Sequence, residues 1–227
     1  MLNFLKYVLA TLVGLFLFFV LGFILLVGLG ALFSPEDVVT LKDKTVLRLD
    51  LDRPILEKVD ENPFVEIFSP FTGEVAAVGV RDLKTALKRA ANDDKIAGID
   101  LRAGRPSAGW AILEEVREAL EEFKSSGKFI HAFAEGYTEK GYYLASVADV
   151  IYLPSMGDFE WNGFSVEYDF YKGTLDKLEI KPLVFRVGEY KSAVEPFLRT
   201  NMSEESRLQM KELVEGVTNH YLNKVST

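Results

Sequence analysis

The stretch KIAGIDLRAGRPSAGWAILEEVREALEEFKSSGKFIHAFA, residues 95–134, decides the fold. KIAGIDLR (95–102) is a short apolar run that predicts a strand. LRAGRPSAGW (101–110) is a glycine-containing strand-to-helix turn. Ile112, Leu113, Val116, Leu120 and Phe123 then recur at helical spacing, and Gly127 offers a left-handed C-cap where that helix stops. KFIHAFA (128–134) predicts the next strand.

The same alternation extends in both directions. Upstream, TVLRLDL (45–51) alternates as a half-buried strand, and Val80, Leu83, Leu87 and Ala90 mark a helix. Downstream, a helix is predicted over 140–148 and a strand at VIYL (150–153). FSVEYD (164–169) reads as a strand by alternation. Tyr171, Thr174, Leu175 and Leu178 mark a helix, and PLVFRV (182–187) another strand. Ser203 is placed as an N-cap, with Glu204 and Glu205 at the positive end of a final helix dipole. Met210, Leu213, Val214, Val217 and Tyr221 share one face of that helix. Strands alternating with helices predict an α/β domain with mostly parallel strands. Residues 53–75, with Pro54, Pro63 and Pro70, are read as a loop. Its Phe64, Phe68 and Phe71 either form a lip against a membrane or another subunit, or tuck onto the core.

The N-terminus is of another kind. From Tyr7 to Phe33 the chain has no charged residue, a run of 27 positions. A bilayer-spanning helix needs about 20, and a cleavable signal peptide has an apolar core of only about 7–15. An uncleaved transmembrane anchor is the expectation. Lys6 precedes the span and Glu36 and Asp37 follow it, so the N-terminus is expected in the cytoplasm and the main domain outside. Three parts result: 1–34 as cytoplasmic stub and anchor, 35–79 as first strand and connecting segment, and 80–227 as the main α/β domain.

Composition narrows the chemistry. Beyond the anchor lie 25 basic and 34 acidic residues, a net formal charge of −9. No basic stripe is present, which argues against a nucleic-acid partner. With no cysteine, disulfides, thiolate metal sites and a cysteine nucleophile are excluded. His131 and His220 have no ligand-spaced neighbours, so neither a metal site nor a Ser-His-Asp triad is expected. Nucleotide-binding glycine motifs and a G-x-S-x-G elbow are absent, and no cofactor is expected. Arg102 and Arg105, in the strand-to-helix turn, are read as solvated or structural.

One lysine keeps unusual company. In FRVGEYKSAVEPF (185–197), Lys191 stands among Phe185, Val187, Tyr190, Ala193, Val194 and Phe197, after Gly188, which lets the backbone turn. Composition allows two readings. Lys191 is either an amphipathic lysine with a buried stem and a wet head, or a lysine desolvated until it gives up its proton. The second requires that the ammonium be selectively destabilised by about 4 kcal/mol, the equivalent of about three pH units. It also requires Glu189 and Glu195 to point away from the amine.

FRVGEYKSAVEPF closely resembles the lysine segment of the signal peptide peptidase A family, also called protease IV. YYLASVADVIYL (142–153), FYKGTLDKLEIKPLVFR (170–186) and PFLRTNMSEESR (196–207) resemble further segments of that family in the same order and spacing. The resemblance covers roughly residues 80–227, plus the anchor in kind. It implies a crotonase-like or Clp-protease-like fold and a Ser/Lys dyad, with Lys191 as catalytic general base. In the long form of the family, the first of two related halves supplies the lysine. The second supplies the serine and the oxyanion-binding glycines. The resemblance further implies a ring-like homo-oligomer outside the bacterial inner membrane, acting on apolar remnants of cleaved signal peptides.

On this resemblance the chain corresponds to the first half and ends at Thr227, where that half ends. GYTEKGYYLAS (136–146) stands where the second half carries its serine, and Glu139, followed by Lys140 and Gly141, takes the aligned position. No nucleophile is therefore expected here. Ser192 adjoins Lys191, but adjacent side chains diverge. Ser107, Ser146, Ser155 and Ser165 read as turn, helix or strand serines, and Gly104 receives no oxyanion role. The expected function is the lysine-bearing half of a membrane-anchored serine endopeptidase, inactive until joined by a serine-bearing half. The alternative is a non-catalytic, membrane-tethered peptide-binding or assembly module of the same fold. An acyl-thioester enzyme fits poorly, for want of a basic phosphate-binding cluster.

Overall fold

A computed structural model describes residues 2–32, 40–59, 77–185, 187–188 and 190–226. The aromatic part of the 53–75 loop, including Phe64, Phe68 and Phe71, lies outside the described residues, as does Glu189. The chain divides into two compact units, residues 1–41 and 42–227.

The first unit holds helix α1 (Leu2–Leu32). At 1.5 Å per residue its 31 residues extend about 46 Å, more than the roughly 30 Å of a bilayer core. Asn3–Leu26 is long and apolar enough to cross a membrane, by length and composition. The hydroxyl of Thr11 donates to the Tyr7 carbonyl at 2.8 Å, so this polar side chain is satisfied within the helix.

The second unit is α/β, and every strand pairing among the described residues is parallel. Its main sheet is ordered β1 (Thr45–Asp50), β4 (Ile96–Arg102), β5 (Phe129–Phe133), β7 (Val150–Tyr152). Short strands β2 (Ile55–Leu56) and β3 (Val78–Gly79) form one pair, and β6 (Gly136–Tyr137) and β8 (Asp158–Phe159) another. Helices α2 (Val80–Ala91), α3 (Trp110–Lys124) and α4 (Glu139–Ala145) follow β3, β4 and β6 in the chain.

The period of each segment explains its place. Ile99, Leu101, Ile130 and Ala132 alternate onto one face of the sheet and are buried, as are Leu83 and Leu87 of α2 and Leu113, Val116, Leu120 and Phe123 of α3. The chain leaves α3 through Gly127 at φ +84°. The β4–α3 turn and α4 meet backbone to backbone, since a β-carbon at Gly141 would overlap the carbonyl oxygens of Gly104 and Ala103. No larger residue fits there without moving the turn.

Among the described residues, the opposite face of the sheet is only half covered. In register across it stand Arg48, Asp100, His131 and Val150, flanked by Arg102, Phe133 and Tyr152. All are partly or fully exposed. Parallel sheets are normally covered on both faces.

Three expectations are corrected. Ile55–Leu56, read as loop, pairs as a strand with Val78–Gly79. Residues 164–169 form no strand, nor do the described residues of 182–187. Both segments carry the right residue types, but a strand also needs a neighbour to complete its hydrogen bonds. Val166, Tyr168, Leu183 and Phe185 remain exposed. The chain continues through α5 (Lys172–Lys177), a 3₁₀ turn (Ser192–Val194), α6 (Glu195–Leu198) and the long α7 (Glu204–Val225). On the expected apolar face of α7, Tyr221 is buried but Leu213 is exposed.

Candidate active site

Lys191 immediately precedes the Ser192–Val194 turn. Gly188 has φ +97°, a left-handed conformation that a residue with a β-carbon would resist, and it turns the chain into the lysine. The turn runs on into α6, with Pro196 in its first turn, where a missing N–H costs nothing. Two contacts fix α6. The Pro196 carbonyl accepts the Tyr171 N–H at 2.7 Å, and Phe197 stacks on Tyr171 with ring centroids 5.9 Å apart. On its other side the Glu195 carboxylate accepts the backbone N–H and the hydroxyl of Ser203.

Lys191 borders a groove of about 530 Å³ lined by Phe185, Val187, Tyr190, Ser192, Ala193, Val194 and Gln209. The apolar residues expected around the lysine are present, but several of them are exposed. Phe185 is 98% exposed and Val187 90%. Lys191 itself is exposed. Among the described residues, the groove is open to solvent on the side of Phe185 and Val187.

The start of α4 is a separate, closed arrangement. Thr138 caps the helix, its side chain accepting the Gly141 N–H at 3.1 Å. Glu139 Oε1 accepts the N–H groups of Asn162 at 2.6 Å and Gly163 at 3.2 Å. Lys140 Nζ donates to the Ala108 carbonyl at 2.7 Å and lies 5.8 Å above the Trp110 ring. Glu139 and Lys140 are therefore committed to holding neighbouring loops. Gly104 uses its carbonyl to accept the Thr138 N–H at 3.0 Å.

Five other residues singled out from sequence make structural contacts. Arg102 pairs with Asp100 at 3.0 Å and lies over the Phe133 ring, while Arg105 pairs with Asp158 and Glu160. Ser107 bridges Pro54, and Ser146 Oγ accepts from Arg117 at 2.7 Å. The His131 ring packs at a tilt against Phe129, with centroids 4.6 Å apart.

Sequence reasoning missed a cluster beneath α7. Glu114 on α3 accepts from Tyr143 Oη on α4, from His220 Nε2 at 2.6 Å and from Lys224 Nζ at 2.8 Å. Burial pushes the Glu114 carboxyl up, but the hydrogen bonds from Lys224, Tyr143 and His220 outweigh it and hold it at about 2. Burial, reinforced by Glu114, pushes the Tyr143 phenol up. Beside it, the buried Arg117 donates to the carbonyls of Tyr143 and Lys224. The available sequence signal was the i, i+4 placement of His220 and Lys224 on one helix face.

Comparison with known proteins gives a consistent picture. Peptidase family S49 matches residues 122–227. Protease 4 of Haemophilus influenzae is 37% identical over 212 residues, covering 91% of this chain and 34% of that protein. Protease 4 of Salmonella typhi is 35% identical over 191 residues, 79% of this chain and 30% of that protein. The chloroplastic serine protease SPPA of Arabidopsis thaliana is 34% identical over 138 residues, 61% of this chain and 20% of that protein. The chain spans about a third or less of the length of these curated relatives. With its mostly parallel α/β unit, its apolar N-terminal helix and these matches, the chain belongs to peptidase family S49, the signal peptide peptidase A family.

Proposed function

We propose that this chain is the lysine-bearing part of a membrane-anchored serine endopeptidase that degrades cleaved signal peptides. Lys191 is its general base. As a serine Oγ supplied by another half attacks a peptide carbonyl, the neutral Lys191 amine takes the hydroxyl proton. It then returns that proton to the leaving amine. Residues 1–34 anchor the chain in the inner membrane, with 80–227 on the extracytoplasmic side. Apolar peptides released into the membrane are the substrates, and copies of the assembled enzyme associate into a homo-oligomer.

The observation that carries this reading is the position of Lys191, on a turn held from two sides and bordering an apolar groove. Covering Phe185 and Val187 with a second surface would strip water from the amine and favour its neutral form. The need for a serine from elsewhere is supported by Glu139, whose carboxylate stands at the start of α4 and already accepts two backbone N–H groups. The exposed Phe185 and Val187 also suit the alternative, a membrane-tethered peptide-binding or assembly module without catalysis.

Co-expression separates the two. The chain is produced alone and together with a serine-bearing half from the same family, and cleavage of an apolar reporter peptide is measured. The proposal expects turnover only in the combination. A stable complex without turnover would favour the assembly module.

A further inference from the structure

Glu195 lies four residues after Lys191 and is only 3% exposed. A buried carboxylate is costly unless strongly hydrogen-bonded. Both of its oxygens engage Ser203: Oε2 accepts the backbone N–H at 3.0 Å, and Oε1 accepts the hydroxyl at 2.6 Å. Ser203 is the N-cap of α7, and its Oγ accepts the Ser206 N–H at 3.2 Å. The cap is therefore complete without Glu195, because the serine oxygen already serves the first turn. What the carboxylate adds is a charge-assisted link from α6 to the N-cap of α7, at the positive end of the helix dipole. Lys191 enters α6 through a single 3₁₀ turn, so the link also sets where the lysine stands.

We propose that Glu195 is a positioning residue for Lys191, acting through a clasp with Ser203 that fixes the lysine turn on the start of α7. This rests on the reading of Lys191 as general base. The clasp has no direct part in proton transfer. It holds the amine in reach of the hydroxyl, so its loss is felt in kcat rather than in KM.

The test uses residues 1–227 carrying Glu195→Gln, Ser203→Thr or Ser203→Asp. Hydrogen exchange is read at the Ser203 amide and across 190–194, and kcat and KM are read after combination with a serine-bearing half. Glu195→Gln is expected to speed exchange on the order of tenfold. It is expected to lower kcat about a hundredfold, the usual cost of a misplacement of about 1 Å, with KM unchanged. Ser203→Thr keeps both donors and behaves as wild type. Ser203→Asp still caps α7, so helicity by circular dichroism is retained, yet it sets a second carboxylate against Glu195 and reproduces Glu195→Gln. Wild-type exchange and kcat in Glu195→Gln would overturn the proposal. So would wild-type kcat in Ser203→Asp, which would reduce Ser203 to a cap. If Lys191→Met retained full kcat, the general-base reading would fall and the positioning role with it. The exchange data would then still report separately whether the clasp exists.

Discussion

At the scale of single residues, Glu114 carries the clearest pH dependence. Its carboxyl is held at about 2, against an ordinary value of 4.5. Its ionised form is therefore favoured by folding, and the stabilisation is fully present above about pH 4.5. It is lost as pH falls from there through about 2. Thermal unfolding followed from pH 7 to pH 2 should show a drop in melting temperature across that window, and Glu114→Gln should flatten it. The turn at Gly188 was legible in the sequence, because a glycine at a turn is a local signal. The Glu114 cluster was not, since Glu114 lies 106 residues from His220 and only the fold brings them together.

At the scale of elements, α7 shows how a pattern can be right and yet incompletely used. Ser203 was expected as its N-cap and is found there, bonded to the Ser206 N–H. Its apolar face was also expected, but the second unit buries mainly the C-terminal end, where Tyr221 packs against Trp110, Tyr143 and Phe164. The Tyr221 hydroxyl is buried and finds no partner among the described residues. Tyr221→Phe should therefore leave the melting temperature unchanged or raise it, because it removes an unsatisfied polar group. Tyr221→Ala should cost about 3–5 kcal/mol through the cavity it leaves. Calorimetry of the two variants checks both. The expected strands at 164–169 and 182–187 fail for a related reason. Periodicity reports the face that a segment offers, while pairing depends on a neighbouring strand that no local pattern contains.

At the scale of the whole molecule, α1 and the uncovered surfaces of the second unit make separate demands. Purified chain should sediment with lipid vesicles, and deletion of residues 1–41 should release it. Co-sedimentation of the deleted form would place the membrane contact elsewhere. The α/β class was legible from the strand–helix–strand run at 95–134, because helical and strand periods are distinct there. The half-bare sheet face was not, because only the pairing of β1, β4 and β5 brings Arg48, Asp100 and His131 side by side. Phe185 and Val187 are exposed as well, beside the groove that Lys191 borders. The most direct measurement is the rate at which a peptide substrate acylates the serine when its half is combined with wild-type or Lys191→Met chain. Removal of the base should slow acylation by about a thousandfold or more at unchanged KM. Equal acylation rates in the two particles would contradict the role given to Lys191.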